Sequence, residues 1–305
     1  MKQIVLICYI ITWAFSSFAQ EFNTHWISYP EPDSTSHIWF RQCYLQQGRP
    51  SEGHITIAST GYYKLYVNEY NIGTAVFYPF RASYSDDVVV MNFDVTPYLR
   101  NDTNIVAVIY SPTYPHINSK QVSIIYYGRG NDGQPFSYTS DANWLCRKAN
   151  SAFNSNGGET IDGRYHNTQW RSTQFDQALW LSAREQYTQQ ASPVTLCHDI
   201  CPVLRINERR GYKYFDQVSD GVEYEFGEGM HGWVRLTLRD ARKGQIIRFG
   251  NTRYICSGLL DEQACPVFSI SDYRRVRVGG DSSFQRDQIF DIEAIGIAPV
   301  STVFY

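Results

Sequence analysis

Val234-Arg235-Leu236-Thr237-Leu238-Arg239 alternates one apolar residue with one polar residue. A period of two puts the apolar set on one face of a strand and the polar set on the other. Sheets built from such strands are buried on one side and wetted on the other, the mark of antiparallel pairing. The same period recurs outward along the chain. Ile55 and Ile57 alternate with His54 and Thr56, and Leu65 and Val67 with Lys64 and Tyr66. Val122, Ile124 and Tyr126 repeat it, as do Val276 and Val278 between Arg275 and Arg277. Turn chemistry separates the runs at Asn131-Asp132-Gly133, Asn156-Gly157-Gly158, Asp220-Gly221 and Gly279-Gly280. Only Ser172 to Ala178 is expected to form a short capped helical turn, and no long stripe of period 3.6 appears. The pattern predicts an all-β chain of two antiparallel β-sandwich domains in tandem, jelly-roll-like in character.

The first residues read as an export signal. Lys2 supplies the positive end, Ile4 to Phe15 is apolar, and Ser17-Phe18-Ala19 offers small residues for cleavage after Ala19. The apolar run is short for a transmembrane helix, so the mature chain is expected to be periplasmic or secreted, with no membrane span. The polar run Gln186 to Pro193 lacks alternation and marks a boundary. The expected division is therefore 1–19 signal peptide, 20–190 first sandwich and 191–305 second sandwich.

Charge excludes some partners. The net charge is −3 and no basic stripe occurs, which argues against nucleic acid. Aromatic residues make up 15% of the chain, with 23 Tyr, against 19% charged residues. Aromatic side chains fit half-buried pleated surfaces, and their faces also stack on the apolar face of a pyranose. The seven cysteines become six once Cys8 leaves with the signal. An even number in an exported chain is compatible with disulfides, and the candidate pairs are Cys197 with Cys201, Cys256 with Cys265, and Cys43 with Cys146. Other connectivities stay open. The Cys197-His198-Asp199-Ile200-Cys201 spacing is unusual for zinc.

Catalytic signatures are not found. The chain has no G-x-S-x-G elbow, no H-E-x-x-H, no phosphate loop and no D-x-D-x-D-G loop. No two of the seven His sit at metal-ligand spacing, and His231 is expected in a solvated tight turn. Thirty acidic residues are available, but spacing alone cannot pair two of them about a glycosidic bond.

Three longer stretches carry a family resemblance: Gly61 to Gly73 (GYYKLYVNEYNIG), Gly158 to Arg164 (GETIDGR) and Tyr224 to Leu238 (YEFGEGMHGWVRLTL). Their order and separation resemble the non-catalytic β-domains at the front of bacterial α-L-rhamnosidases. Shorter matches support this: Phe40-Arg41-Gln42-Cys43-Tyr44, Phe93-Asp94-Val95-Thr96, Asn143-Trp144, and Trp170 with Phe175, Asp176 and Trp180. Glu69 stands where the family usually has Gly, so that turn is expected to differ. Glu225 and Asn251 also depart from the family pattern. Gly61, Gly73, Gly227, Gly229 and Gly232 read as backbone-geometry residues, and Trp170, Trp180 and Trp233 as core aromatics.

In that family a helical (α/α)6 barrel follows and carries the catalytic carboxylates; this chain has no helical pattern that could form one. Some members hold a terminal rhamnose through a calcium ion on the first domain. The resemblance places such a site at Glu159 and Asp162, with Arg164 beside the sugar, and Gly163 offers no side-chain oxygen to it. The implied function is an exported carbohydrate-binding accessory protein that binds rhamnose-containing oligo- or polysaccharides without hydrolysing them. Two alternatives stand beside it. One is the split or truncated front half of a rhamnosidase, a scaffold for a separate glycoside hydrolase; the other is a structural or assembly protein with no sugar ligand.

Overall fold

The computed structural model describes residues 25–79, 88–112, 120–187, 194–196 and 203–300. The signal segment, Cys8, Cys197 and Cys201 lie outside the described residues. The first lobe contains β1 (His25–Ser28), β2 (Ser36–Leu45), β3 (Glu52–Ser59), β4 (Tyr62–Val67), β5 (Tyr70–Asn71), β6 (Val88–Asp94) and β7 (Thr103–Ser111). It continues with β8 (Gln121–Arg129), β9 (Pro135–Thr139), β10 (Leu145–Phe153), β11 (Glu159–Asp162), β12 (Leu181–Ser182), β13 (Arg184–Tyr187) and β14 (Val194–Leu196). The second lobe contains β15 (Val203–Gly211), β16 (Tyr214–Val218), β17 (Gly221–Arg239) and β18 (Ile246–Phe249). It closes with β19 (Thr252–Ile255), β20 (Asp261–Ala264), β21 (Ser271–Gly280) and β22 (Ile289–Val300). The described residues hold four short 3-10 turns and no α-helix, so the all-β expectation is met.

In the first lobe one sheet, ordered β13-β1-β8-β3-β6-β14, faces a second built on β10-β2-β7-β4. Ile38 and Phe40 of β2, Ile55 and Ile57 of β3, and Val106, Val108 and Tyr110 of β7 fill the core between them. The second lobe has its own core, where Val234, Leu236 and Leu238 meet Val276, Val278 and Phe249. The alternation read from the sequence is therefore the inside-outside alternation of the strands.

A third apolar layer joins the lobes. Trp39 of β2 and Ile105, Ala107 and Ile109 of β7 face away from the first core and pack with Leu204, Phe268 and Ile297 of the second lobe. This explains the near-continuous apolar run of β7, since each of its faces is buried in a different core. The sheets are continuous as well. β11 pairs antiparallel with β10 and parallel with β19, so a single ladder runs from β15 of the second lobe to β5 of the first.

Local expectations meet mixed outcomes. Asn68 and Glu69 have φ of 48° and 78° between Val67 and Tyr70. Both are left-handed, as a primed two-residue hairpin turn requires, so the turn is retained with Glu in a position that favours Gly. Asn68 tolerates it because its side chain is buried and bonded to Asn104, Tyr98 and Ile105. Gly279 and Gly280 are not a turn; they end β21, where a Cβ on Gly279 would meet the carbonyl of Asp220 at 2.5 Å. His231 lies within β17 rather than in a turn and pairs with Asp272 at 2.8 Å. Ser172 to Ala178 is not helical. The 3-10 turn forms just before it, at Gln169–Arg171, because Arg41 donates to the carbonyls of Trp170 and Ser172 and lies 3.6 Å from the Phe175 ring. Pairing of the first lobe extends to Leu196 on β6, and the second lobe begins at Val203.

The described cysteines are free thiols. Cys146 lies opposite Phe40 with its side chain in the first core, whereas Cys43 is exposed, an odd number of residues along the same strand and so on the other face. Their Cβ vectors point apart, which rules out the Cys43–Cys146 bridge in this fold. Cys256 is buried in the second core, while Cys265 sits apart at the seam with its thiol directed at the Pro266 carbonyl, so the Cys256–Cys265 bridge is not formed either.

Candidate functional site

The GETIDGR stretch lands where the two lobes meet. Gly158 is packed so closely on Asn251 that a Cβ would lie 2.1 Å from the Asn251 carbonyl oxygen. Asn154 adds a hydrogen bond to the same carbonyl at 2.8 Å. Along β11, Glu159 and Ile161 point inward while Thr160 and Asp162 point outward, as the pleat dictates.

Glu159 is fully buried. Its carboxylate accepts the backbone N–H groups of Val267 at 3.0 Å, Phe268 at 2.6 Å and Ser269, together with the Ser269 hydroxyl at 3.0 Å. Successive amides curled around an anion in this way form a nest. His37 stands 4.0 Å away, held between Phe153 and Phe268 and bonded through Nδ1 to Ser151 Oγ at 2.8 Å. Burial lowers the His37 pKa to about 4, against the opposing pull of Glu159.

Asp162 does different work. Its Oδ1 accepts the Arg164 N–H at 3.1 Å and so caps the 3-10 turn Gly163–Tyr165. The Arg164 guanidinium grips the same carboxylate at 2.9 and 2.7 Å and holds its pKa below the usual carboxylate range. Gly163 is obligatory here, because a Cβ would stand 2.4 Å from Tyr254 Oη. Tyr254 Oη in turn donates to the buried Glu262 at 2.9 Å.

The capped turn projects Tyr165, which is 63% exposed, over a cleft of 1010 Å³. Arg147, Asn150, Asp162, Arg164, His166 and Gln169 are among its walls. A second hollow of 480 Å³ opens beside it and shares Trp39, Asn150, His166, Asn167 and Thr168. Trp39 forms the floor, stacked on Trp170 at 5.4 Å and Trp180 at 6.3 Å. The core-aromatic reading of Trp170 and Trp180 holds to that extent: they are the support under the cleft.

Of the three expected site residues, the structure brings Asp162 and Arg164 together on the cleft and sends Glu159 into the interior. Glu159 and Asp162 lie on opposite faces of β11, the first engaged by three amides and the second by a guanidinium. A calcium ion needs several converging oxygens. These two do not converge, and among the described residues no cluster of three or more His, Cys, Asp or Glu side chains does. The pair does not fit calcium. Sequence reasoning missed Arg147, Asn150, Tyr165 and the run His166 to Gln169. The signal was present as an unbroken series of hydrogen-bonding side chains from Tyr165 to Gln169, immediately after a capped turn.

The described residues thus form two all-β lobes that share an apolar seam, with a polar cleft along one side of it. The family model for the alpha-L-rhamnosidase N-terminal domain matches residues 48–208. The chain belongs to that family. An alpha-L-rhamnosidase of Formosa agariphila is 22% identical over 308 residues, which is 87% of this chain and 32% of that protein. Among solved structures, the alpha-L-rhamnosidase from Dictyoglumus thermophilum superposes with a TM-score of 0.78 at 21% identity, over 92% of this chain and 36% of that one. The Aspergillus terreus enzyme gives 0.76 at 20% identity, over 93% and 36%. The chain thus spans about a third of the length of the relatives it matches.

Proposed function

We propose that this chain is an exported carbohydrate-binding module of the rhamnosidase lineage that holds rhamnose-containing glycans without hydrolysing them. The observation that carries this reading is the exposed Tyr165 ring at the mouth of a cleft walled by Asn150, Asn167, Thr168 and Gln169. An aromatic face with a few convergent polar groups is the usual construction of a small-molecule site. Tyr165 would stack on the apolar face of a sugar ring, and the amides would take its hydroxyls. Asp162 and Arg164 fix the turn that presents the ring. Because Glu159 and Asp162 do not converge, the proposed binding does not depend on calcium. Calorimetric titration with L-rhamnose and rhamnose-rich oligosaccharides, with and without chelator, tests it. Binding that survives chelation and drops at least tenfold in Tyr165→Ala supports the reading; no binding in either condition removes it.

A second reading, a scaffold for a separate rhamnosidase catalytic domain, is favoured by one surface. Leu259 and Leu260 are exposed on the loop before β20, and Phe290 is exposed beneath Arg239, which itself bonds Asp261. Contiguous exposed apolar groups mark interaction surfaces. Paired substitution Leu260→Glu with Phe290→Ser should abolish co-elution with such a catalytic domain; unchanged co-elution would dismiss this surface.

A further inference from the structure

The charges around the cleft are unequal. Its walls contain Arg147, Lys148 and Arg164 against the single carboxylate of Asp162. Two of the three cations are already answered. Arg164 is held in a two-point pair by Asp162, and Lys148 lies 2.9 Å from Asp33, which also binds Lys120 at 3.1 Å. Arg147 has no carboxylate partner among the described residues. It is half-buried on β10, directly across the ladder from Trp39, the floor of the cleft. The neighbouring backbone is irregular: the register of β10 against β2 shifts between Lys148 and Ala152. Asn150, within that irregular stretch, reaches the Asp162 carbonyl at 3.1 Å. A planar guanidinium with its donors unclaimed, half-shielded from water beside an aromatic floor, is suited to two-point recognition of a carboxylate or sulfate.

From this juxtaposition we propose that the cleft takes an acidic sugar residue, a uronate or a sulfated sugar, and that Arg147 is the group that reads its negative charge. The proposal rests on the sugar-binding reading above and adds to it the class of sugar. The neutral part of the ligand would lie over Tyr165, and the anionic substituent would reach Arg147 across the Trp39 floor. Lys148 and Arg164 keep the local potential positive but are tied to Asp33 and Asp162, so they contribute little to choosing between ligands. An acidic ligand also suits a chain that is only slightly acidic overall, since its net charge of −3 leaves no strong repulsive field.

The test is calorimetric titration of the full mature chain with four probes. They are a rhamnose–galacturonate disaccharide, the methyl ester of the same disaccharide, a sulfated rhamnose, and L-rhamnose. The expected result is that the free acid binds at least about tenfold more tightly than its ester at low salt, and that the gap narrows in high salt as screening grows. Arg147→Gln should lose that preference, whereas Arg248→Gln, on an exposed strand position of the second lobe, should keep it; thermal unfolding of both variants verifies folding. A gain for sulfated rhamnose alone assigns the anion as a sulfate ester and supports the proposal. Equal binding of all four probes, charged and neutral, overturns it while leaving carbohydrate binding in place. A preference for the acid that survives Arg147→Gln also overturns it. Failure of all four probes to bind removes the sugar-binding reading and this proposal together.

Discussion

Removing the Glu159 carboxylate should destabilise the fold more than any surface change, and should do so without any involvement of metal. The side chain is fully buried and is the acceptor for three consecutive amides, Val267, Phe268 and Ser269. In Glu159→Ala these amides lose their partner inside a seam lined by Phe153 and Phe268. A buried donor left unsatisfied costs about 1–3 kcal/mol, and water entering the vacated space would recover part of it, so the expected loss is about 4 kcal/mol. For a chain of this size that corresponds to a fall in Tm of roughly 8–16 °C. Glu159→Gln keeps one acceptor oxygen but turns an NH2 group toward the same donors, so it should lose about 3 kcal/mol. Urea unfolding with and without chelator measures both. The midpoint should move with the slope unchanged, by the same amount in either buffer. A loss below about 1 kcal/mol would refute the nest argument. So would a drop in wild-type stability on chelation that matches the loss in the variant, because Glu159 would then be holding a metal.

Three other outcomes are expected. His37 is buried with a pKa near 4, below the unfolded value of 6.5, so the unfolded chain binds the extra proton between these two values. Its contribution, about 3 kcal/mol, is therefore fully present above pH 6.5 and lost as pH falls toward 4; comparing urea midpoints of wild type and His37→Gln across that window isolates it, and parallel pH profiles would exclude it. Glu69→Gly should stabilise by about 0.5–1 kcal/mol by relieving a left-handed non-glycine residue, whose exposed contact with Arg100 is worth little; a lower Tm would show that the turn is not strained. Thiol labelling followed by peptide mapping should modify Cys43 in the native protein but Cys146 and Cys256 only after unfolding, since burial pushes both of the latter up to about 12; a Cys43–Cys146 cross-linked peptide would contradict the strand register.

The strands were legible because burial in a sandwich core is written directly as alternation. Val234, Leu236 and Leu238 are buried where the period said they would be. The seam was harder to read. The apolar run of β7 signals burial on both faces, but nothing in it names the second lobe as the partner of Ile105, Ala107 and Ile109. The site was legible in part for a related reason. Asp162 and Arg164 belong to one capped turn, a local device visible in DGR. Glu159 owes its burial to amides more than a hundred residues away, and no local pattern carries that information. The expected Cys43–Cys146 bridge failed on geometry: counting cysteines ignores the face each occupies, and these two occupy opposite ones.

The four residues of β11 have a consequence for how the chain is made. Thr160 finds its parallel neighbour in Arg253, which leaves the ribosome roughly ninety residues later, on the order of ten seconds at ordinary synthesis rates. Until then the newborn first half carries an open edge at β11. A long apolar edge waiting that long would invite pairing with another nascent chain. The edge is short, and its outward residues, Thr160 and Asp162, are polar. It can wait in water without recruiting a stranger, and the last third of the chain completes it.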